Sequence, residues 1–519
     1  MRELGRVISV AGSRMTVDLD AKGVDVTALR VGSIVKVRNN GHTVLGSISE
    51  VKIGQNGQAA HFMIADLLGE LSTENGELKF SRGVSQHPVP GQLTTDADES
   101  DLRAIYGEPT GDNVQVGTLY HDSSRPAYVM TDKLLGKHFA VLGSTGSGKS
   151  CSVTVILSAI LAKHPQAHVI LLDPHNEYSR PFGSVANVIN AENLQLPLWL
   201  LDFAEAQRLL IRGGTSSEQQ SQALILKDAM MAARQHFNAE EPHASSITVD
   251  TPVPYRAYEL LHSINEQMGR LAKPDTALPY LRLRERLTSL LSDPRFRFFF
   301  SAEEDVLEQI ISQLLRVPVD GKPLTIVDLS GVPSEVTDVI VSTLSRVVFN
   351  FGVWAERDKT PPLLLVCEEA QRYVPADESL GFEETVRVIT QIAKEGRKYG
   401  ISLALVTQRP TELSLSVLSQ CGTVFALRLG SEADQQFIAR TLPDAAREML
   451  AALPSLPGQQ AIVSGEGVIV PMRIRFTDLQ PEQQPRSEGA PFSKAWQSEG
   501  VDEEFVRNGI RRWRERIRA

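Results

Sequence analysis

One octapeptide constrains the fold of this chain more than any other feature of its sequence. Residues 143–150 read Gly-Ser-Thr-Gly-Ser-Gly-Lys-Ser and directly follow the apolar run 139–142. They fit the pattern G-x-x-x-x-G-K-[ST], in which backbone N–H groups surround phosphates, the lysine adds positive charge and the hydroxyl binds Mg²⁺. The next segment, 151–163, lacks Gly and Pro and predicts a helix whose positive N-terminal end faces the phosphates. The sequence therefore predicts a nucleoside triphosphate site formed by Gly143, Ser144, Thr145, Gly146, Ser147, Gly148, Lys149, Ser150 and Cys151.

A glycine- and serine-rich turn could produce this pattern by chance, but the apolar run before it and the helical segment after it disfavour that reading.

The rest of the composition is that of a globular protein. Of 519 residues, 42% are hydrophobic and 22% are charged, and no stretch approaches the ~20 consecutive apolar residues of a membrane span. The N-terminus has no apolar signal region, and the three cysteines form no C-x-x-C pair, so we expect a cytoplasmic protein. The net charge of −10 argues against a surface that is basic throughout, although it leaves room for a locally basic channel.

The pattern of apolar runs predicts several domains. Residues 1–90 alternate short β-like runs with Gly and Asn turns, which is typical of a small β-barrel, and 91–125 is predicted as a linker. Five near-continuous apolar runs separated by helical segments indicate an α/β domain with a parallel sheet covered on both faces. We assign this core to 126–203 and 301–476, interrupted by a helical insertion at 204–300 and followed by a polar tail at 477–519.

A second acidic motif completes the predicted site. The apolar run 363–367 leads into Glu368 and Glu369, which places two carboxylates at the end of a buried strand. We assign Glu368, with Ser150, to the metal ion, and Glu369 to the general base that polarises the attacking water. An acidic helix start stabilised by the helix dipole is the alternative.

Two further residues are candidates for phosphate chemistry. Gln408 follows the apolar run 401–407, where a polar side chain can hold the water or the γ-phosphate, or can simply cap a turn before Pro410. This is the arrangement of RecA-like additional-strand P-loop ATPases, in which one strand separates the loop strand from the acidic strand. Arg397 lies in a basic cluster at 394–400 and could act as an arginine finger on a neighbouring subunit, or belong to a solvated turn.

Taken in order, these segments resemble the HerA family of the HerA/FtsK superfamily. The matching segments are the loop at 143–150, Asp-Pro-His-Asn-Glu-Tyr at 173–178, Glu-Glu-Ala-Gln at 368–371, Glu-Gly-Arg-Lys-Tyr-Gly at 395–400 and Thr-Gln-Arg-Pro at 407–410. The usual Asp-Glu-Ala-His of the family is replaced at 368–371, which leaves any role for a histidine in doubt. The segment 173–178 could be purely structural, and we assign none of its residues to catalysis.

The resemblance implies a homohexameric ring that binds ATP and Mg²⁺ between subunits and translocates double-stranded DNA through its pore. Lys149, Ser150, Glu368, Glu369 and Gln408 would then act from one subunit and Arg397 from the next. It also implies a partner, either a NurA-type nuclease in DNA-end processing or a sirtuin-like NADase or nuclease in anti-phage defence. Two other readings stay open: a scaffold ATPase whose ring activates a defence effector, and a conjugative secretion ATPase, which the lack of a membrane segment disfavours.

Overall fold

The computed structural model of the chain describes most of the sequence. The described residues are 2–19, 29–39, 42–53, 61–74, 76–237, 244–271, 277–300, 306–356, 358–442, 448–485, 493, 496–497 and 503–515. They form an N-terminal barrel, an α/β domain built on one large sheet, and a group of helices inserted into that domain.

The N-terminal part is a closed antiparallel barrel. Its strands are β1 (Glu3–Ala11), β2 (Arg14–Leu19), β3 (Ile34–Asn39), β4 (His42–Ile53), β5 (His61–Glu74), β6 (Glu77–Arg82) and β7 (Leu93–Asp96). The order β2-β1-β7-β3-β4-β5, with β2 also paired to β5, closes six strands into a barrel, and β6 extends from β5. Alternate side chains such as Val7, Val17 and Met63 fill the interior, as expected for strands with one face inside. The predicted barrel is confirmed.

The segment predicted as a linker, 91–125, contains regular structure instead. It supplies β7, helix α1 (Glu99–Tyr106) and strand β8 (Asn113–Leu119). The acidic residues that suggested a linker have structural roles: the Asp98 side chain caps α1, and Asp98 and Asp101 both accept hydrogen bonds from Lys36, at 2.7 and 2.5 Å. The hydrogen bond from Lys36 holds the pKa of Asp98 well below its usual range. Short strands and capped helix starts share their Asp, Gly and Thr residues with loops, which is why composition misled here.

The α/β domain is an 11-stranded sheet. The remaining strands are β9 (Pro126–Met130), β10 (Phe139–Leu142), β11 (His168–Asp173), β12 (Ala186–Ile189), β13 (Leu324–Asp328), β14 (Leu363–Glu368), β15 (Ile401–Thr407), β16 (Thr423–Ala426), β17 (Gln460–Gly465) and β18 (Met472–Phe476). Their order is β12-β13-β11-β14-β15-β10-β16-β17-β18-β8-β9. The strands from β12 to β16 run parallel and the others continue the sheet antiparallel.

The five predicted apolar runs are the adjacent strands β13, β11, β14, β15 and β10. Successive residues of one strand pack on opposite faces: Ala140 and Leu142 join one core cluster, and Phe139 and Val141 join the other. Strand β15 lies between the loop strand β10 and the acidic strand β14. The predicted RecA-like additional-strand core is confirmed.

Helices cover the sheet and form the insertion. They are α2 (Thr131–Leu135), α3 (Lys149–Lys163), α4 (Ser179–Phe182), α5 (Phe203–Leu210), α6 (Ser216–Phe237), α7 (Ala257–Gly269), α8 (Leu278–Ser292), α9 (Leu307–Leu315), α10 (Ser334–Trp354), α11 (Glu383–Glu395), α12 (Leu415–Leu418), α13 (Glu432–Ala439) and α14 (Glu503–Glu515). The helices α5 to α8 occupy the predicted insertion. Among the described residues, α10 alone is long and apolar enough to cross a bilayer, but 67% of its apolar window is buried inside the protein, as in a core helix.

One arginine side chain forms hydrogen bonds between the barrel and the large sheet. Arg82, at the end of β6, donates hydrogen bonds to the carbonyl oxygens of Ile469 (2.7 Å), Gly465 (2.6 Å) and Val468. These carbonyls lie in and beside the turn that connects β17 to β18. Burial at this contact lowers the pKa of Arg82, whose guanidinium is anchored by carbonyl dipoles rather than by a hydrogen-bonded carboxylate.

Candidate ATP-hydrolysis site

The phosphate loop has the geometry that its sequence predicts. Gly146 and Gly148 adopt φ angles of +72° and +92°, in the left-handed region that favours glycine. A Cβ atom at Gly143 would lie 2.6 Å from Ser147 Oγ and 2.8 Å from Leu427 Cβ, so a side chain there would collide with the loop and the next strand. Lys149, Ser150 and Cys151 form the first turn of α3, whose N-terminus closes the loop. The backbone can thus curl tightly enough to place several N–H groups around a phosphate.

Neighbouring segments hold the loop in position. The Arg428 carbonyl oxygen accepts hydrogen bonds from Ser144 N and Oγ, at 3.0 and 2.9 Å, and its guanidinium donates to the Gly146 carbonyl at 3.0 Å. The N–H of Gln459, which precedes β17, donates to the Ser147 carbonyl at 3.2 Å. Because the carbonyl oxygens of Gly146 and Ser147 are engaged by these donors, they do not compete with the N–H groups that an anion at the centre of the turn requires.

Lys149 is paired with the acidic strand. Its Nζ lies 2.8 Å from Glu368 Oε1 and 3.9 Å from Glu369 Oε1. Burial alone would lower the pKa of Lys149, but the nearby carboxylates outweigh it and the pKa is raised. Burial raises the pKa of Glu368, and the ion pair with Lys149 opposes that rise. The lysine therefore stays positively charged at neutral pH.

Glu369 is held by two side-chain amides. It follows β14 in the left-handed conformation, with φ of 53°, which turns its side chain away from the strand direction. Gln408 Nε2 donates to Glu369 Oε1, and Gln371 Nε2 donates to Oε2 at 2.6 Å. Gln371 in turn accepts a hydrogen bond from the Thr407 hydroxyl at 2.6 Å. Both carboxylate oxygens are thus fixed, so the residue assigned as general base has one orientation.

Gln408 links this carboxylate to the phosphate loop, because its Oε1 accepts a hydrogen bond from the Thr145 hydroxyl at 2.6 Å. The additional strand makes this link possible: β15 lies between β10 and β14, so its end is next to both motifs. The structure therefore brings Lys149, Ser150, Glu368, Glu369 and Gln408 together at the carboxyl edge of the sheet, where ligands of open α/β sheets bind.

Arg397 lies elsewhere in the protomer. It precedes β15, whereas Gln408 follows the same seven-residue strand, so at about 3.3 Å per residue the two are separated by roughly 20 Å of sheet. There Arg397 is exposed and lines a cavity of about 790 Å³ with Asp112, Lys163 and His164. It cannot reach the phosphate loop of its own chain.

The segment 173–178 contributes contacts that sequence reasoning did not assign. The Ser150 hydroxyl donates to Glu177 Oε2 at 2.6 Å, and the buried Tyr178 hydroxyl donates to Glu368 Oε2 at 2.8 Å. The contacts of Gln371 were likewise missed, and Thr145, predicted as a nucleotide-binding residue, also contacts Gln408. One signal was available: 173–178 follows a buried parallel strand, and such strands carry functional loops at their carboxyl ends.

The residues present fit ATP and Mg²⁺. Ser147 Oγ is buried and has no hydrogen-bond partner among the described residues, so the loop retains an unused polar group. A serine hydroxyl and carboxylate oxygens are hard oxygen ligands of the kind Mg²⁺ prefers. Ser150 and Glu368 would supply them, and Lys149 with the loop N–H groups would hold the phosphates.

Comparisons with known proteins show which proteins this chain resembles. The family model described as "Helicase HerA, central domain" matches residues 114–348. A DNA double-strand break repair helicase HerA of Pyrococcus furiosus is 25% identical over 419 residues, which cover 74% of this chain and 73% of that protein. A probable DNA double-strand break repair helicase HerA of Methanocaldococcus jannaschii is 25% identical over 515 residues, which cover 91% of this chain and 95% of that protein.

Among solved structures, VirB4 of Thermoanaerobacter pseudethanolicus superposes with a TM-score of 0.51 at 17% identity, covering 72% of this chain and 99% of that chain. This likeness shows a shared fold. Together with the loop, the additional strand and the acidic motif, the family model and the archaeal relatives support the HerA family of P-loop ATPases as the family of this chain.

Proposed function

We propose that this chain is an ATP-driven translocase or helicase of double-stranded DNA. The observation that carries the proposal is the connected site in which Lys149, Glu368, Glu369 and Gln408 meet at the end of the additional strand. The archaeal relatives are named as DNA repair helicases, which supports DNA as the polymer on which the chain acts. We further propose a cytoplasmic homohexamer that serves as the motor for a partner nuclease, such as a NurA-like enzyme, or for a sirtuin-like or other anti-phage effector.

The chemistry follows from the positions of the side chains. Lys149 and the loop N–H groups would bind the β- and γ-phosphates, and Ser150 and Glu368 would hold Mg²⁺, which would neutralise charge on the phosphate oxygens. Glu369 orients the attacking water and accepts its proton, because both of its oxygens are fixed by amide donors. Gln408 contacts both the phosphate loop and Glu369, so binding of the γ-phosphate at the loop can change the position of the general base.

Arg397 completes the site from a neighbouring subunit in this proposal. Its position at the opposite edge of the sheet rules out a role at the nucleotide of its own chain, and its exposed guanidinium is free to meet another protomer. A planar cation of this kind stabilises charge on a transferring phosphoryl group. ATP would then be hydrolysed only where two subunits meet.

The deciding experiment measures ATP hydrolysis by the purified chain with and without linear duplex DNA, together with its mass in solution. We expect a hexameric mass and strong stimulation by DNA, with no turnover in Lys149→Ala. Slow turnover that is indifferent to DNA in an intact hexamer would overturn the motor and favour the scaffold ATPase that activates an effector.

A further inference from the structure

Two adjacent side chains of the loop after β11 contact the two residues assigned to the metal ion. Glu177 Oε2 accepts from the Ser150 hydroxyl at 2.6 Å, and the Tyr178 hydroxyl donates to Glu368 Oε2 at 2.8 Å. These partners lie 27 and 190 positions away along the chain, so tertiary folding brings them together. The loop therefore forms one wall of the site.

A buried carboxylate shapes this loop. Asp173, at the end of β11 and fully buried, accepts hydrogen bonds from the N–H groups of His175 at 3.2 Å and Tyr178 at 3.0 Å. Asn176 adopts a left-handed φ of 55°, which reverses the chain within the loop. The backbone is thus folded around one side chain, and this fold directs Glu177 toward α3 and Tyr178 toward β14.

Three carboxylates lie close to the phosphate loop. Glu368 and Glu369 lie 2.8 and 3.9 Å from the Lys149 ammonium group, and Glu177 contacts Ser150, the next residue. Phosphates bound by the loop would be negatively charged as well. A divalent cation between the carboxylates and the phosphates removes this repulsion.

We propose that Glu177 is a residue of the Mg²⁺ site, which binds the ion or its water beside Ser150 and couples metal binding to nucleotide binding. The inference rests on the proposed ATP site and adds to it a carboxylate from the second strand of the domain. Tyr178 acts as a positioning residue, because its hydroxyl fixes the Glu368 oxygen that does not pair with Lys149. The segment 173–178 is then functional rather than purely structural.

Glu177→Gln tests this assignment. Glutamine keeps the size of the side chain and an oxygen acceptor for Ser150, so it removes mainly the charge. The measurement is the affinity for fluorescent N-methylanthraniloyl-ADP, first with EDTA and then as Mg²⁺ is titrated, so it needs no turnover. Mn²⁺ bound with ADP, followed by electron paramagnetic resonance, gives a second readout.

We expect the Mg²⁺ concentration at half-saturation to rise about tenfold or more in Glu177→Gln, as when groups around a metal are altered. In EDTA the variant should bind the nucleotide at least as well as the parent, since one repulsive charge is gone. Glu177→Asp should recover part of the Mg²⁺ dependence. Glu192→Gln, on an exposed side chain away from the site, should match the parent in both conditions.

Three outcomes separate the possibilities. An unchanged Mg²⁺ midpoint in Glu177→Gln overturns the metal role, and Glu177 then only orders the Ser150 hydroxyl. Weaker binding both with EDTA and with Mg²⁺ also overturns it, because that pattern indicates a distorted loop. If the parent chain itself binds no nucleotide at any Mg²⁺ concentration, the proposed ATP site fails, which is a different result.

Discussion

The ammonium group of Lys149 lies 2.8 Å from Oε1 of Glu368, and this ion pair joins the phosphate loop to the acidic strand across the additional strand. Both side chains are almost fully buried, with 9% and 2% of their surfaces exposed. An interaction of this kind in a low-dielectric site is strong, and removal of one partner leaves the other charge unpaired.

Lys149→Ala should therefore abolish nucleotide binding and turnover. The alanine removes the cation that meets the phosphates and leaves Glu368 with an uncompensated buried charge. Equilibrium binding of N-methylanthraniloyl-ADP and steady-state ATP hydrolysis measure the two effects. Lys133→Ala, on an exposed side chain of α2, is the matched control. Normal hydrolysis in Lys149→Ala would refute the assignment of the phosphate loop.

Gln371→Leu should lower kcat for ATP hydrolysis by about 10- to 100-fold with little change in KM, because the loss of a positioning contact affects the oriented base more than binding. The leucine removes the donor to Glu369 Oε2 and the acceptor for Thr407. Gln371→His, which restores the residue usual in the family, should recover much of kcat. Gln420→Leu, on an exposed glutamine, controls for the substitution itself. Equal loss in the leucine and histidine variants would mean that Glu369 does not depend on this donor.

Arg397→Ala should bind nucleotide normally and fail to hydrolyse it, since its guanidinium cannot reach the loop of its own protomer. Mixing Arg397→Ala with Glu369→Gln protomers should restore part of the turnover, because some interfaces then combine an intact arginine with an intact base. Lys398→Ala, next to it and equally exposed, should stay active. No recovery in the mixture, with mixed hexamers verified by mass, would contradict the action across subunits.

Lys36→Met should destabilise the barrel by about 2 to 4 kcal/mol, because it leaves the buried Asp101 carboxylate without its cation. The Lys36 hydrogen bond lowers the pKa of Asp98, so the contribution of that carboxyl is present above pH ~4 and lost at lower pH. The pKa of Lys36 is raised because its hydrogen bonds to Asp101 and Asp98 outweigh burial, so its contribution is lost above pH ~10.

Scanning calorimetry across this pH range checks the prediction. The difference in melting temperature between Lys36→Met and the parent should be largest between pH ~4 and ~10 and should shrink in acid. Lys52→Met removes an exposed pair with Glu50 and should cost less than about 1 kcal/mol. A difference independent of pH would point to lost packing rather than lost charge pairing.

The sequence predicts the sheet well because its strands are buried on both faces. The runs 169–172, 363–367 and 401–407 consist largely of aliphatic residues, and all three are strands of the sheet, with β15 between β10 and β14 as predicted. Gln408 could be assigned beside Glu369 since parallel strands share a carboxyl edge. Strand β7 was missed because its four residues are Leu, Thr, Thr and Asp, a composition common in loops.

The missing part of the site depends on contacts between distant segments. Glu177 meets Ser150 only because the Asp173 carboxylate folds the loop, and no periodicity or spacing encodes that turn. In the sequence, Gln371 stands where the family usually has a histidine, which suggested a lost function. In the structure its side-chain amide forms hydrogen bonds with both Glu369 and Thr407. Hydrogen-bond geometry of this kind is set by tertiary structure and cannot be deduced from residue type.

The Arg82 contact connects the barrel to the nucleotide site through a single hairpin. Arg82 donates hydrogen bonds to the turn between β17 and β18. At the other end of β17, the N–H of Gln459 donates to the carbonyl oxygen of Ser147 in the phosphate loop. A displacement of the barrel at Arg82 would therefore move a hairpin that also contacts the phosphate loop. Binding of another protein to the barrel could in this way alter the position of the phosphate loop.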